Sequence, residues 1–594
     1  MLLALAAGLA LPPARAHADV GPAPAAAPHE PQTRKFQHSR YERETIAGAL
    51  ERLGLTLDAA PEGKTVAAID TVRLEVIEER DPAPRFLNVF HVVTRDRVVL
   101  REVLLRPGEP YRASLADETQ RNLSTLPQFS LVLVVAARGS APDRVHVVVI
   151  TKDVWSIRLN WDIALTTTGV EGLSINPAET NLFGTHQTLG LLFKWLPASH
   201  SFGAEYVEPR LMGKHVTVAT DAGIVLNNAT GAAEGSFADL LVTAPLWSTR
   251  TEWAWGAGLS WSREVARLYT HGEVAAFALD PAASCSATPA LCVPWAYRAT
   301  SAAATAFVTR SFGWAVKQDV SLGFEARRSV YEGPDPTGYD PATVQAFQAT
   351  RVPRDDQRVG PYVQYRTYTT DFLRVLDLDT LALQEDYRLG PQAHVRLYPL
   401  PAALGSRGTR LGAAAGAGWT VAIGDGLVSA AVDSTTELRA PEGDVSDGSV
   451  RGELRLASPR FPAGRIVADA VVLDRYANAL NRLSYLGGDS RLRGYPSEAF
   501  VGQHLFAANV ELRSRPWQLL DSLQLGGVLF YDAGDAFDAW SALRLRQAVG
   551  AGARVLFPQL DRVVFRMDVG FPLTRPLPAG AGPVTFFATF GQVF

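Results

Sequence analysis

One pattern limits this chain more than any other. From Trp155 to Phe594, segments of about ten residues alternate apolar and polar between turn signals, and no long amphipathic helix interrupts them. Val216, Val218, Thr220, Ala222, Ile224 and Leu226 share one strand face, opposite Thr217, Ala219, Asp221, Gly223 and Asn227. Phe565, Met567, Val569 and Phe571 alternate with Arg566, Asp568 and Gly570. A charge flanked on both sides by large apolar residues suits a wall with lipid outside and water inside. Soluble sandwiches alternate too, but this array is too long for one sandwich. Aromatics also recur near segment ends (Trp247, Trp253, Trp255, Trp261, Trp295), where interfacial belts lie. No run of 18 apolar residues follows the N-terminus, so no helix is expected to cross a membrane. A net charge of −4 argues against a nucleic-acid binder, and two cysteines exclude a disulfide-dense or multi-Cys zinc scaffold. Turn signals delimit about twenty strand candidates.

Ahead of the array the chain is organised differently. Residues 1–18 read as an export signal: Leu2 to Leu11 is apolar, Ala16-His17-Ala18 fits the small-residue cleavage site, and no Lys or Arg precedes the apolar run. Within 19–63, Val20 to Pro31 is an Ala/Pro-rich lead, and Ser39 to Leu57 carries Ile46, Leu50, Leu53 and Leu57 on one helical stripe. That helix either packs on the next domain or serves as a plug or partner helix. Residues 64–154 read as strand, two helices, strand, strand. The strands are Val66 to Ile77, Gln128 to Ala137 and Arg144 to Lys152. The helices are Val98 to Leu105 and Ser114 to Leu126, the second capped by Ser114 and ended by Pro127.

The run RPGEPYRASLADETQRNLSTLPQFS resembles the polypeptide-transport-associated (POTRA) domain. Further on, GGDSRLRGY, with Leu492-Arg493-Gly494-Tyr495 at its core, looks like the conserved-loop motif of the BamA/TamA outer-membrane assembly superfamily, also called the bacterial surface antigen family. It lies near 485–500, between strand candidates Arg465 to Arg475 and Gly502 to Arg515. Five strands resembling the family's own follow: AANVELRSRP, GGVLFYDAGDAF, AVGAGARVLFP, VVFRMDVGFPL and TFFATFGQVF. Asn181-Leu182-Phe183-Gly184 and Tyr206-Val207-Glu208-Pro209 resemble its first periplasmic turns. The last strand, Pro583 to Phe594, puts Phe590 and Phe594 on one face and resembles the C-terminal barrel signal, from which Gln592 departs. The resemblance implies a mainly β protein: a small N-terminal α+β POTRA-like domain and, over 155–594, a transmembrane antiparallel barrel of sixteen strands. The pattern count allows up to twenty, and parity should be even.

In that family the loop arginine pairs with acidic residues at the positions Glu511 and Asp532 match. Alternation turns both carboxylates inward on neighbouring strands, where a guanidinium would fork them. Gly494 would then permit a tight turn beside Tyr495. An ordinary hydrophilic wall would also place Glu511 and Asp532 inward. Export makes Cys285 and Cys292 a disulfide candidate in an extracellular loop, with free thiols the alternative. Gly488-Asp489-Ser490 lacks an α/β context, Gly412 to Trp419 lacks P-loop chemistry, Asp532 to Asp535 is a thin calcium turn, and the His are scattered. No catalysis, cofactor or metal is expected. The expected location is a Gram-negative outer membrane with the N-terminal domain in the periplasm. By resemblance the function is insertion or translocation of polypeptides. Partners would be outer-membrane lipids and extended clients, held at the POTRA-like strand edge and the barrel seam, with a periplasmic partner left open and no nucleic acid. A passive pore or structural surface barrel is the alternative.

Overall fold

The computed structural model describes residues 33–35, 38–79, 81, 84–166, 169–270, 272–280, 283–489, 491–519, 523–578 and 581–594. The leader, its cleavage site and Val20 to Pro31 lie outside the described residues.

Helix α1 (Arg40–Leu53) starts at a reciprocal cap. The Ser39 hydroxyl accepts the Glu42 N–H at 3.2 Å, and the Glu42 carboxylate accepts the Ser39 N–H at 2.7 Å. Gly54, in the left-handed region at φ +66°, ends it. The helix is therefore shorter than its apolar stripe: Ile46 and Leu50 are buried, whereas Leu57 is 52% exposed. Strands β1 (Thr65–Leu74), β2 (Phe129–Arg138) and β3 (Arg144–Asp153) form a sheet in the order β1-β3-β2, with β1 parallel and β2 antiparallel to β3. Between β1 and β2 lie α2 (Asp96–Arg101) and α3 (Ala113–Ser124). One sheet face buries Val72, Leu133 and Ile150 under α1; the other buries Phe129, Val145 and Val147 under Leu115 and Leu123 of α3. Each such side chain contributes roughly 1.5–3 kcal/mol. Ser114 does not hold the N-cap of α3: the helix begins one residue earlier than expected, at Arg112 as cap. The Ala113 N–H instead donates to Glu62 Oε2 at 2.9 Å.

From Ile157 on, the described residues form one closed antiparallel barrel of twenty strands, paired in chain order, with the last, Thr585–Phe590, returning to the first, Ile157–Thr166. The sixteen strands carried over from the resemblance are thus corrected, and the number read from turn signals matches. The seventh strand, Trp253–Arg267, displays the wall: Trp253, Trp255, Leu259 and Trp261 are exposed on its outer face, while Ala254 and Gly256 turn inward, buried. An apolar outer belt over a polar lumen is the arrangement that lets strands cross lipid with every backbone group paired.

The N-terminal unit sits at the mouth where the first strand begins, here the near mouth. Asn181 Nδ2 donates to Val92 O at 2.9 Å, His186 Nε2 lies 3.0 Å from Thr94 Oγ1, and Arg210 forks Glu102 at 2.6 and 2.9 Å. The turns at Asn181–His186 and after Glu208 are therefore near-mouth turns gripping the unit. Burial would raise the Glu102 carboxyl, but the nearby His215 imidazole, 3.5 Å away, and the Arg210 fork hold it down at about 2. Burial pushes the His186 imidazole down to about 4, against the pull of Asp153 and Glu102.

Candidate functional site

The far-mouth connection between the fifteenth strand (Gly464–Asn478) and the sixteenth (His504–Ser514) turns back into the lumen. It is braced by a short ladder, Ser484–Leu486 against Phe500–Gly502. Gly487 (φ +122°) and Gly488 (φ +89°) take conformations side chains rarely adopt, and a Cβ on Gly487 would meet Pro496 O at 2.3 Å. The loop thereby lays Arg493 against the wall with no exposure at all.

Its guanidinium forks Asp532: Nε to Oδ2 and Nη2 to Oδ1, both 2.9 Å. Nη1 donates to Glu511 Oε1 at 2.6 Å and reaches Asp568 Oδ2 at 3.4 Å. The Arg493 backbone N–H also donates to Asp532, at 3.1 Å, and the Phe530 ring centroid lies 3.6 Å from the guanidinium carbon. Tyr495 is fully buried, its hydroxyl donating to Gln547 O at 3.1 Å and its ring edge-on to Phe500. Gly494 plays a part other than the expected tight turn. Its φ is not positive, but a Cβ there would stand 2.4 Å from Ala548 Cβ and 3.0 Å from Pro572 N. It is small so that the loop can touch the wall.

The network is larger than the Arg493, Glu511 and Asp532 trio that the resemblance implies. Arg513 Nε donates to Glu511 Oε2 at 2.8 Å, Asn509 Nδ2 to Asp532 Oδ1 at 2.7 Å, Arg554 Nη1 to Asp568 Oδ1 at 2.6 Å and Arg566 Nη1 to Asp568 Oδ2 at 3.1 Å. Buried charges are tolerable only when paired and hydrogen-bonded in this way. Alternation had already turned Arg566 and Asp568 inward; nothing in one strand says which loop they meet.

The seam between first and last strands is short. Among the described residues its ladder runs from Thr585↔Thr166 to Ala588↔Ile163, whereas that between the seventh and eighth strands runs from Trp253↔Arg310 to Arg267↔Ala296. Ile157–Asp162, the near-mouth half of the first strand, pairs only with the second strand among the described residues. The last strand ends at Phe590 rather than continuing to Phe594. Gly591 (φ +95°) diverts the chain inward, where Gln592 accepts from Arg554 Nε at 3.0 Å and the Phe594 ring lies 5.6 Å from the Arg513 guanidinium. Gln592 is polar because it faces the lumen. Phe590 stays on the outer face against Phe565 and Trp161, and Phe594 does not share that face. Cys285 and Cys292 form a disulfide on the connection between the seventh and eighth strands, at the far mouth.

No protein-family profile matches the chain. A Treponema pallidum (strain Nichols) protein named "Putative outer membrane protein assembly factor" is 26% identical over 184 residues, which is 29% of this chain and 22% of that protein's length. Among solved structures, CdiB from Escherichia coli is similar at 12% identity and TM-score 0.44, over 96% of this chain and 93% of its own. Haemophilus ducreyi BamA lacking POTRA domains 1–3 is similar at 11% identity and TM-score 0.35, over 89% and 85%.

Proposed function

We propose that this chain is an outer-membrane barrel that helps insert or translocate polypeptides. Its N-terminal α+β unit would act as a POTRA-like module in the periplasm. The observation that carries the reading is the seam: among the described residues the wall closes there by four residue pairs, and the near-mouth half of the first strand is left as an edge. Unpaired strand edges bind extended chains by completing the ladder. A client strand entering at Ile157–Asp162 would gain backbone hydrogen bonds while its outer face meets lipid. The drive is client folding and burial, so the reading needs no catalysis. The motif loop and the name of the Treponema relative support the same class of function.

The test is a cross-seam disulfide. Ile163 and Ala588 are register partners. Ile163→Cys with Ala588→Cys, in a Cys285→Ser, Cys292→Ser background, should fold and cross-link. Oxidised cells should then lose particular outer-membrane proteins, and reductant should restore them. An unchanged outer-membrane proteome, both under the lock and on depletion, would favour the passive barrel.

A further inference from the structure

Between the tenth barrel strand (Asp356–Thr369) and the eleventh (Gly390–Leu400), the near-mouth connection does not turn tightly. It forms a hairpin of Phe372–Leu376 against Gln384–Arg388. The hairpin leaves the wall at Thr370 and Leu389 and reaches across to strands far round the barrel. Its tip packs Leu381 on Leu556 and Val564, at the eighteenth strand and the turn that follows. Asp379 lies 3.2 Å from Arg513 Nη1, and the same nitrogen donates to Leu378 O at 2.7 Å. Gln592 Nε2 donates to Asp379 O at 3.2 Å. One flank buries Leu373, Val375 and Leu378 on inward-facing Leu427, Ala457 and Val467. The hairpin thus spans the near mouth.

What it covers has a character of its own. Along the ninth to thirteenth strands the lumen is not filled by the motif loop. Two cavities of ≈ 410 and ≈ 450 Å³ lie there and adjoin at Arg396 and Ala414, which line both. The Gly/Ala-rich run at 412–419 makes this room: Ala414, Gly416 and Gly418 face inward with no bulk. Six arginines line the two cavities, among them Arg327, Arg366 and Arg396, against the carboxylates of Glu325, Asp356 and Asp433; Arg396 Nη2 donates to Glu325 Oε2 at 2.6 Å. The hairpin base approaches this path at the Tyr368 ring, which has the Arg388 guanidinium 4.3 Å and that of the lining residue Arg366 4.8 Å from its centroid.

The hairpin is also tied to the N-terminal unit. Arg374 forks Asp386 across the hairpin at 2.8 and 3.2 Å and reaches Asp117 of α3 at 3.7 Å. Gln120 of α3 donates to Gln384 Oε1 at 3.0 Å, and Arg121 stacks over Phe372 at 4.2 Å. We propose that the hairpin Phe372–Arg388 is a plug closing an arginine-lined passage for anionic solutes, held shut by α3. This is separate from the seam, since the plug reaches across the mouth and the seam lies in the wall.

The test is conductance of the full-length protein in planar lipid bilayers under a KCl gradient. The wild type should rest closed. Replacing residues 377–383 by Gly-Ser-Gly should raise steady conductance many-fold, with a reversal potential favouring chloride. Adding Arg366→Glu and Arg396→Glu should move that potential towards potassium. Should the shortened hairpin fail to fold, Asp117→Ala with Arg374→Ala decides instead, by a many-fold rise in opening frequency. A folded, heat-modifiable variant conducting no more than wild type overturns the plug, as does a wild type already open. A passage that opens without chloride preference overturns the anionic assignment.

Discussion

Arg493 shows how one side chain can fix a loop. Three carboxylates face it, none exposed; removing it leaves Glu511 with Arg513 and Arg554, Asp568 with Arg554 and Arg566, and Asp532 with the Asn509 amide in place of a cation. Breaking a buried pair in this manner costs about 3–5 kcal/mol. Arg493→Ala should therefore slow barrel assembly and reduce the compact, heat-modifiable form on gels. Arg493→Lys should rescue only partly, since an ammonium cannot make the fork to Asp532. Asp532→Ala should act in the same direction, and the double variant should fall short of the sum of the two, because both belong to one network. Gly494 makes a sharper case. Its backbone is one any residue can adopt, so Gly494→Ala fails only by contact with Ala548 and the Phe571–Pro572 backbone. Overpacking of this kind costs about 1–3 kcal/mol. Ala548→Gly should recover part of that loss in thermal melts of the barrel, whereas a conformational role for Gly494 predicts no recovery. The inward placing of Glu511 and Asp532 was legible because a strand's period is two. The role of Gly494 was not, since a close approach between distant segments leaves no mark in local sequence.

Elements were legible where a local signal sets them and illegible where another part of the chain does. The apolar stripe from Ser39 placed α1, but the first N–H of α3 is held by Glu62, 51 residues away in the chain, and no local pattern reveals that. Strand number followed turn signals, and weighting a family's sixteen strands over them misled. The hairpin Phe372–Arg388 reads locally like two more strands, and only tertiary contacts place it across the mouth. The near-mouth turn Asn181–His186 carries a pH dependence. His186 is held neutral by burial, with Asp153, Glu102 and Arg210 around it. A buried histidine lowered to about 4 from an ordinary 6.5 contributes stability present in full above 6.5. As pH falls from 6.5 towards 4 the undocked turn protonates and the docked one does not, so docking weakens by on the order of 3 kcal/mol in all. Protection factors at Val92–Arg95, which divide out the slowing of intrinsic amide exchange as pH falls, should therefore drop across that window and level off below it. His186→Gln should flatten the response. A wild-type profile flat between pH 6.5 and 4 would remove burial of a neutral His186 as a source of the grip.

At the scale of the whole molecule, the barrel is uneven by construction. A ladder's resistance to opening grows with its paired length, because each residue added brings hydrogen bonds and cross-strand side-chain contacts. Among the described residues the seam has four such pairs, ending at Ala588, three residues before Gly591 turns the chain into the lumen; the ladder between the seventh and eighth strands extends over the whole of Trp253–Arg267. Opening at the seam leaves the remaining nineteen ladders of the twenty-strand wall intact, so it is the cheapest way to breach the barrel. Local opening free energies within one protein span from near zero to the global value, and short ladders occupy the low end. Hydrogen exchange on the protein in lipid nanodiscs should accordingly find Ile163–Leu165 and Phe586–Ala588 exchanging first among barrel amides and Trp255–Glu264 last. Oxidising the Ile163→Cys, Ala588→Cys pair should slow the first group selectively and leave the last group as it was. Protection that is uniform around the barrel, or weakest at some other ladder, would mean that pairing length does not govern where this wall opens.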